Sequence, residues 1–372
     1  MTRGERARHE PQDEAGAADS TGTSSAGGSS GKKRKKGHKG GEGEESVVPP
    51  AEFKSYYGRP VLKPPLWEWK VPAYLLSGGL SAGAALLAAG ADLTDRPQLC
   101  RSCRIGGFGA LLASSYFLIG DLGRPLRFHH MMRVAKPTSP MSMGTWILMF
   151  YSPGSSLAGM VELLPKPWRT QGSLGTTLKW VARLSGISAA VFAPALASYT
   201  AVLLADTAVP AWHEAYRELP FVFAGSAVAS GAGLAMVCSP VSEAGPARRL
   251  ALLGAAIEIA AAHRIDHKPT FETSTYTHGE PHRLRKISEY LTIGGAVAAL
   301  TFARRSRVVA ALGGLALLAG SGFQRFGTFE AGVESTKDPI YVVKPQRARL
   351  EARRREQEEQ EERDKRQGQA RQ

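Results

Sequence analysis

Uncharged apolar runs alternate with short polar stretches over most of this chain. Runs rich in Ala, Leu, Gly and Val begin near residue 72 and recur to about residue 326. Each approaches the ~20 residues that an α-helix needs to cross a bilayer. The pattern predicts eight helices, over about 72–91, 105–121, 139–161, 180–205, 216–238, 249–264, 288–303 and 308–326. The expected fold class is all-α, a polytopic transmembrane helix bundle of about eight spans. Pro153-Gly154 marks a kink in the third helix. In the first, Gly79 and Gly83 lie four apart beside Ser77, Gly78 and Ala82. Small residues at that spacing let helices approach closely in lipid, so they read as a packing face.

The flanks read differently. Residues 1–50 are rich in Gly, Ser, Glu and Lys and cannot bury enough apolar surface to offset their ordering entropy, so a disordered basic tail is expected. No apolar run follows their basic residues, so they do not read as a secretory signal. The KKRKK run at Lys32 to Lys36 reads as a solvated anchor near anionic lipid heads. Residues 51–70 form an extended interfacial lead-in segment, held open by Pro60, Pro64 and Pro65, with Trp67 and Trp69 at the level of an aromatic belt. Residues 71–330 make the bundle. Residues 331–372 are a charged C-terminal tail, expected as a frayed helix or a disordered segment.

Composition alone would point elsewhere. The mean hydropathy of −0.18 suggests a soluble protein. That average conceals how charge concentrates in residues 1–65 and 335–372. A net charge of +14 with a KKRKK run would suggest nucleic acid in a soluble protein. Here the basic ends flank membrane helices and the positive-inside effect accounts for them, so no nucleic acid is expected. An even number of spans puts both termini on one side. Their Lys and Arg place that side in the cytoplasm, with the chain in the plasma membrane. Of the three cysteines, Cys100 and Cys103 form a CRSC that reads as a short loop. One such pair is too few ligands for an iron–sulfur cluster or structural zinc, so ordinary thiols or a local disulfide are expected, and no metal. The histidines fall in loops or at helix ends, not inside spans, so haem is not expected.

Candidate chemistry gathers around residues 121–146, DLGRPLRFHHMMRVAKPTSPMSMGTW. Asp121 and Arg124 end one span and Ser139 opens the next. With eight spans, the turns after helices two, four and six share the side of the termini. That side receives Asp121, Arg124, His129, His130 and Ser139, then Asp206, Trp212 and His213 with Tyr199 two turns inside. It also receives Glu258 and, from the start of the first helix, Trp67, Trp69 and Tyr74. Phenols, carboxylates and aromatics at a membrane edge suit a quinone headgroup. Its carbonyls need donors, its ring needs packing, and its reduction consumes two protons. Trp69, Tyr74, Asp121, Arg124, Ser139 and Tyr199 are the binding candidates; Asp121, Asp206 and Glu258 are the proton-path candidates. Alternatively, Asp121 and Arg124 pair with each other and cap helix ends. Glu258 has no base one turn away on its own helix, so it must be protonated or paired across helices. No metal site, flavin motif or nucleophile stands out, so the chain alone does not read as an enzyme.

Over residues 53–345 the chain resembles the NrfD, or polysulfide-reductase-type (PsrC-like), membrane subunits. The resemblance rests on YYGRPVLKPPLWEW and GGLSAG, then DLGRPLRF, SPMSMGTW, SYTAVLLADTAVPAWHEA and RFGTFEAG. It implies a haem-free bundle of about eight to ten helices. It also implies a four-cluster ferredoxin-like iron–sulfur subunit and a molybdopterin oxidoreductase catalytic subunit as partners. Such a complex, formate-dehydrogenase- or polysulfide-reductase-like, exchanges electrons with menaquinone, in some relatives with proton movement. The family's headgroup residue in the first helix, often His, corresponds to Tyr74, whose phenol can also donate. Tyr199 matches the helix-four tyrosine, and Asp121 and Arg124 match the DLGRP signature. The competing readings are a permease or ion channel, and a purely structural anchor for a soluble partner.

Overall fold

The structure, a computed structural model, describes residues 61–370 apart from Pro64, Leu66, Pro269 and Thr270. The expected disordered tail, the KKRKK anchor and residues 51–60 of the lead-in segment lie outside the described residues. The described lead-in residues, Val61, Leu62, Lys63, Pro65, Trp67, Glu68 and Trp69, are non-helical.

The described chain is helical and, among the described residues, without strands. In order come α1 (Lys70–Leu93), α2 (Pro97–Gly120), α3 (Pro140–Leu163), the short α4 (Lys166–Thr170), α5 (Gly172–Ala205) and the short α6 (Pro210–Glu214). There follow α7 (Leu219–Cys238), α8 (Gly245–Asp266), α9 (Gly279–Leu300), α10 (Arg307–Lys337) and α11 (Ile340–Ala370). Eight of these, α1–α3, α5 and α7–α10, occupy the places where the sequence predicts spans. Five, namely α1, α2, α5, α7 and α10, are long and apolar enough to cross a membrane by length and composition. Many large apolar side chains point outward, among them Leu112, Phe150, Val191, Phe221 and Leu312. Such a surface suits lipid. The protein is a multi-pass membrane protein.

Several boundaries differ from the sequence reading, for one reason. α2 starts at Pro97 rather than near Ile105, so Cys100 and Cys103 lie inside a helix, free and buried, not in a loop. Arg101 and Arg104 made that turn look like a loop. Arg104 is instead neutralised across helices, 3.1 Å from Glu162 and 3.6 Å from Asp92. α5 starts at Gly172, α9 at Gly279, and α10 continues to Lys337, past the expected bundle edge at 330. In each case polar or charged residues extend a helix beyond its apolar run. The charged C-terminal tail is helical in α11. Its Glu, Arg, Gln and Ala are strong helix formers.

Helices α1, α2, α3 and α5 pack together, α7–α10 form a second group, and α1 and α5 meet α7 between them. Gly83 makes the α1–α7 contact possible: a Cβ there would stand 2.0 Å from the Ala227 carbonyl oxygen. The packing-face reading of Gly83 therefore holds. Gly79 faces the Arg325 guanidinium instead, 2.9 Å from where its Cβ would be.

The two ends of the bundle are defined by contacts. Lys70 Nζ donates to the Gly120 carbonyl at 3.3 Å, so α1 begins where α2 ends. This is the near end of the bundle. At the far end, the Glu243 carboxylate before α8 accepts from the backbone N–H groups of Gln98 (2.9 Å) and Leu99 (3.0 Å). It supplies the cap that Arg96, at the N-cap position, does not. Glu243→Ala is expected to cost about 1 kcal/mol, the usual worth of an N-cap. Thermal unfolding of the purified protein checks it.

Candidate functional site

A cavity of about 330 Å³ opens at the near end, among α1, α2, α3 and α5. Tyr74 from α1 and Tyr199 from α5 reach it, each nearly buried, at 4% and 9% exposure. Leu118, Ile119, Leu148 and Leu203 supply apolar walls. The turn after α2, a 3₁₀ segment at Pro125–Met132, closes the near-end rim with Phe128, Met131 and Met132. Met141 and Met149 join from α3, so four of the chain's eight methionines line one cavity. Methionine is unbranched and polarizable, which lets such walls adapt to a flat ring or a flexible tail.

Gly144 sets the position of Tyr199. A Cβ at 144 would lie 2.1 Å from Tyr199 Cε2, so only glycine lets the phenol ring lie against α3. Pro140 occupies the first turn of α3, where its missing N–H costs nothing, and Ser139 sits at the N-cap position. The stretch SPMSMGTW thus starts the helix, accommodates the ring and forms one wall.

The other binding candidates share the near end but not the cavity. Trp69 is 58% exposed and meets the edge of Phe117 at 5.6 Å between ring centroids. Ser139 is half-buried and makes no side-chain cap bond. Arg124 is exposed. Asp121 follows the last turn of α2 and is half-buried. Burial raises its carboxyl pKa above the ordinary carboxylate value, Lys70 opposes this, and Glu68 adds to it. Lys70, not Arg124, is the cation whose charge acts on it.

The proton-path candidates divide. Asp206 is exposed at the C-cap of α5. Glu258 is 3% exposed and lies in the second helix group. The cross-helix base that its position demands is Arg325 of α10, 1% exposed, whose charge acts on it. They form no ion pair within 4 Å among the described residues. Arg325 Nη2 instead donates to the Phe223 carbonyl at 2.8 Å, with the guanidinium 3.9 Å from the Phe223 ring centroid. Glu258 Oε2 and Arg325 Nε and Nη1 keep no hydrogen-bond partner among the described residues. A crevice of about 30 Å³ beside Glu258 is lined also by Asp266, His282, Arg285, Glu289 and Gln324. That is room for about one water or two. Trp212 is structural: it is fully buried, its Nε1 donates to the Thr328 carbonyl at 2.8 Å, and it stacks on Trp67.

Sequence reasoning missed Gly144, the methionines and Arg325. The methionine cluster between 131 and 149 was a readable signal. Arg325 was visible only as one base near the end of an apolar run.

A family model described as Polysulphide reductase, NrfD matches residues 61–249. The chain belongs to the NrfD family. Protein NrfD of Escherichia coli (strain K12) is 30% identical over 199 residues, covering 48% of this chain and 61% of that relative. The chain therefore spans about three fifths of that relative's length. Every residue lining the two-tyrosine cavity falls inside the NrfD match, whereas Glu258 and Arg325 fall beyond it. NrfD membership and the helices together describe a membrane protein consistent with a subunit of an oxidoreductase.

Proposed function

We propose that this chain is the quinone-interacting membrane subunit of a multi-subunit oxidoreductase, and that the two-tyrosine cavity receives the quinone. One observation carries the reading. Two nearly buried phenols line an otherwise apolar, methionine-rich cavity at one end of a membrane bundle. Phenols donate hydrogen bonds to ring carbonyls. Apolar and methionine walls suit the ring and the isoprenoid tail, and about 330 Å³ matches a headgroup with the first part of its tail. Asp121 outside the rim, with its raised pKa, is a reasonable place for a proton to wait.

The partners in this reading are a four-cluster ferredoxin-like iron–sulfur subunit and a molybdopterin catalytic subunit, with menaquinone as the bound substrate. In this scheme the partner subunits carry the electrons, and this chain binds and orients quinone and handles protons. Both termini face the cytoplasm, from which the partner docks.

Tyr74→Phe and Tyr199→Phe are each expected to weaken binding of a menaquinone analogue about fivefold, the worth of one hydrogen bond of ~1 kcal/mol. A fluorescence-quench titration of the purified chain reads this without any partner. Unchanged affinity in both variants would sink the assignment of the cavity.

A further inference from the structure

The far end of the bundle carries a second, larger cavity that the quinone reading does not use. It encloses about 1220 Å³ between the far ends of α1, α2, α3 and α5. Seven basic side chains and three acidic ones line it. The acids are partly consumed in a lattice. Asp92 holds Arg104 at 3.6 Å and Arg183 at 3.4 Å, and Glu162 holds Arg104 at 3.1 Å and also pairs with Arg169. That lattice fixes the walls. Among the described residues Arg101, Lys166 and Lys179 have no ion pair, and the Arg96 side chain donates to the Glu243 carbonyl at 3.3 Å without an ion pair. The Nε atoms of Arg96, Arg104 and Arg169 are buried and have no hydrogen-bond partner among the described residues. A rigid cavity with this surplus of cations has a strong preference for an anion.

Its surroundings say which kind. Trp180 lines the cavity and is 58% exposed, with Arg183 5.9 Å from its ring centroid. Along α5 from Trp180, the residues Leu184, Ile187 and Val191 are all exposed. Their spacings of four, three and four put them on one helix face. The stripe leads from the charged cavity toward mid-bilayer. A ligand matching both features has an anionic phosphoryl head and an acyl chain.

We propose that this cavity is a binding site for the phosphoryl headgroup of an anionic diacyl lipid, one of whose acyl chains lies along the Trp180–Leu184–Ile187–Val191 face. Basic pockets between membrane helices recognise such headgroups by charge. The site is independent of the quinone assignment: it shares no residue with the two-tyrosine cavity.

The test uses the full chain purified in a neutral detergent. Phosphatidylglycerol is expected to raise its unfolding temperature, and native mass spectrometry should show it retained; phosphatidylcholine should do neither. The exposed triple variant Arg101→Ala/Lys166→Ala/Lys179→Ala leaves the ion-pair lattice of Asp92, Arg104, Glu162, Arg169 and Arg183 intact. It should bind phosphatidylglycerol about a hundredfold more weakly, at about fivefold per surface cation removed. Leu184→Ser/Val191→Ser should weaken the lipid but not inorganic phosphate. Equal retention of both lipids, or an undiminished phosphatidylglycerol effect in the triple variant, would overturn the site. Stabilisation by inorganic phosphate as strong as by the lipid, and insensitive to the α5 variant, would overturn the lipid in favour of a soluble anion.

Discussion

Gly144→Val is expected to lower quinone-analogue affinity by ten- to a hundredfold while the chain still inserts in the membrane. Even the Cβ of the new side chain would stand 2.1 Å from Tyr199 Cε2 and 2.7 Å from Cδ2. A tyrosine ring cannot yield like the tip of a lysine. It is nearly buried and held by its own helix, α5. The open space beside it is the cavity, so the phenol must turn or slide into the volume assigned to the headgroup. Overpacking of this sort costs about 1–3 kcal/mol. Two measurements separate the consequences. Thermal unfolding reports the packing strain; analogue titration reports the lost site. A variant that melts lower yet binds unchanged would show that Tyr199 packs the bundle without touching quinone.

Arg325→Met is expected to destabilise the bundle by about 3–5 kcal/mol. Arg325 is 1% exposed among α1, α7, α8 and α10, and its charge acts on the 3%-exposed Glu258 with no direct ion pair between them among the described residues. The variant also strands the Phe223 carbonyl, which accepts from Nη2 at 2.8 Å. Glu258→Gln alone should cost less, because the amide keeps the shape and leaves Arg325 its carbonyl and ring contacts. Combining Arg325→Met with Glu258→Gln should recover part of the loss, since no buried charge then stands alone. Unfolding titrations of the two single variants and the double variant read the coupling. Strict additivity would mean that the two side chains do not feel each other across the helices.

Much of the bundle was legible because lipid imposes a simple rule. Apolar stretches of about 20 residues must become helices, since their backbone groups have no other partners there. All eight expected spans correspond to long helices, and the near-end placement of Tyr74, Asp121 and Tyr199 followed from counting turns. Helix ends were less legible. Arg101 and Arg104 look like loop residues until Asp92 and Glu162 are seen beside Arg104. The candidate site was half legible. Tyr74 and Tyr199 line the cavity, whereas Trp69, Arg124 and Ser139 sit elsewhere at the near end because side-chain direction, not helix position, decides what a cavity contains.

The sequence by itself determined an all-α membrane bundle, the end of it where aromatic and acidic groups gather, and the family to which it belongs. These follow from run length, parity and local motif, all of which are properties of neighbours along the chain. Only the tertiary structure decided that Gly144 exists for Tyr199, that methionines form the wall, that Arg325 answers Glu258, and that seven cations surround one far-end cavity. Those relations join residues of different helices. Their register is set by close packing of small residues across helix faces, and no single stretch of sequence contains it.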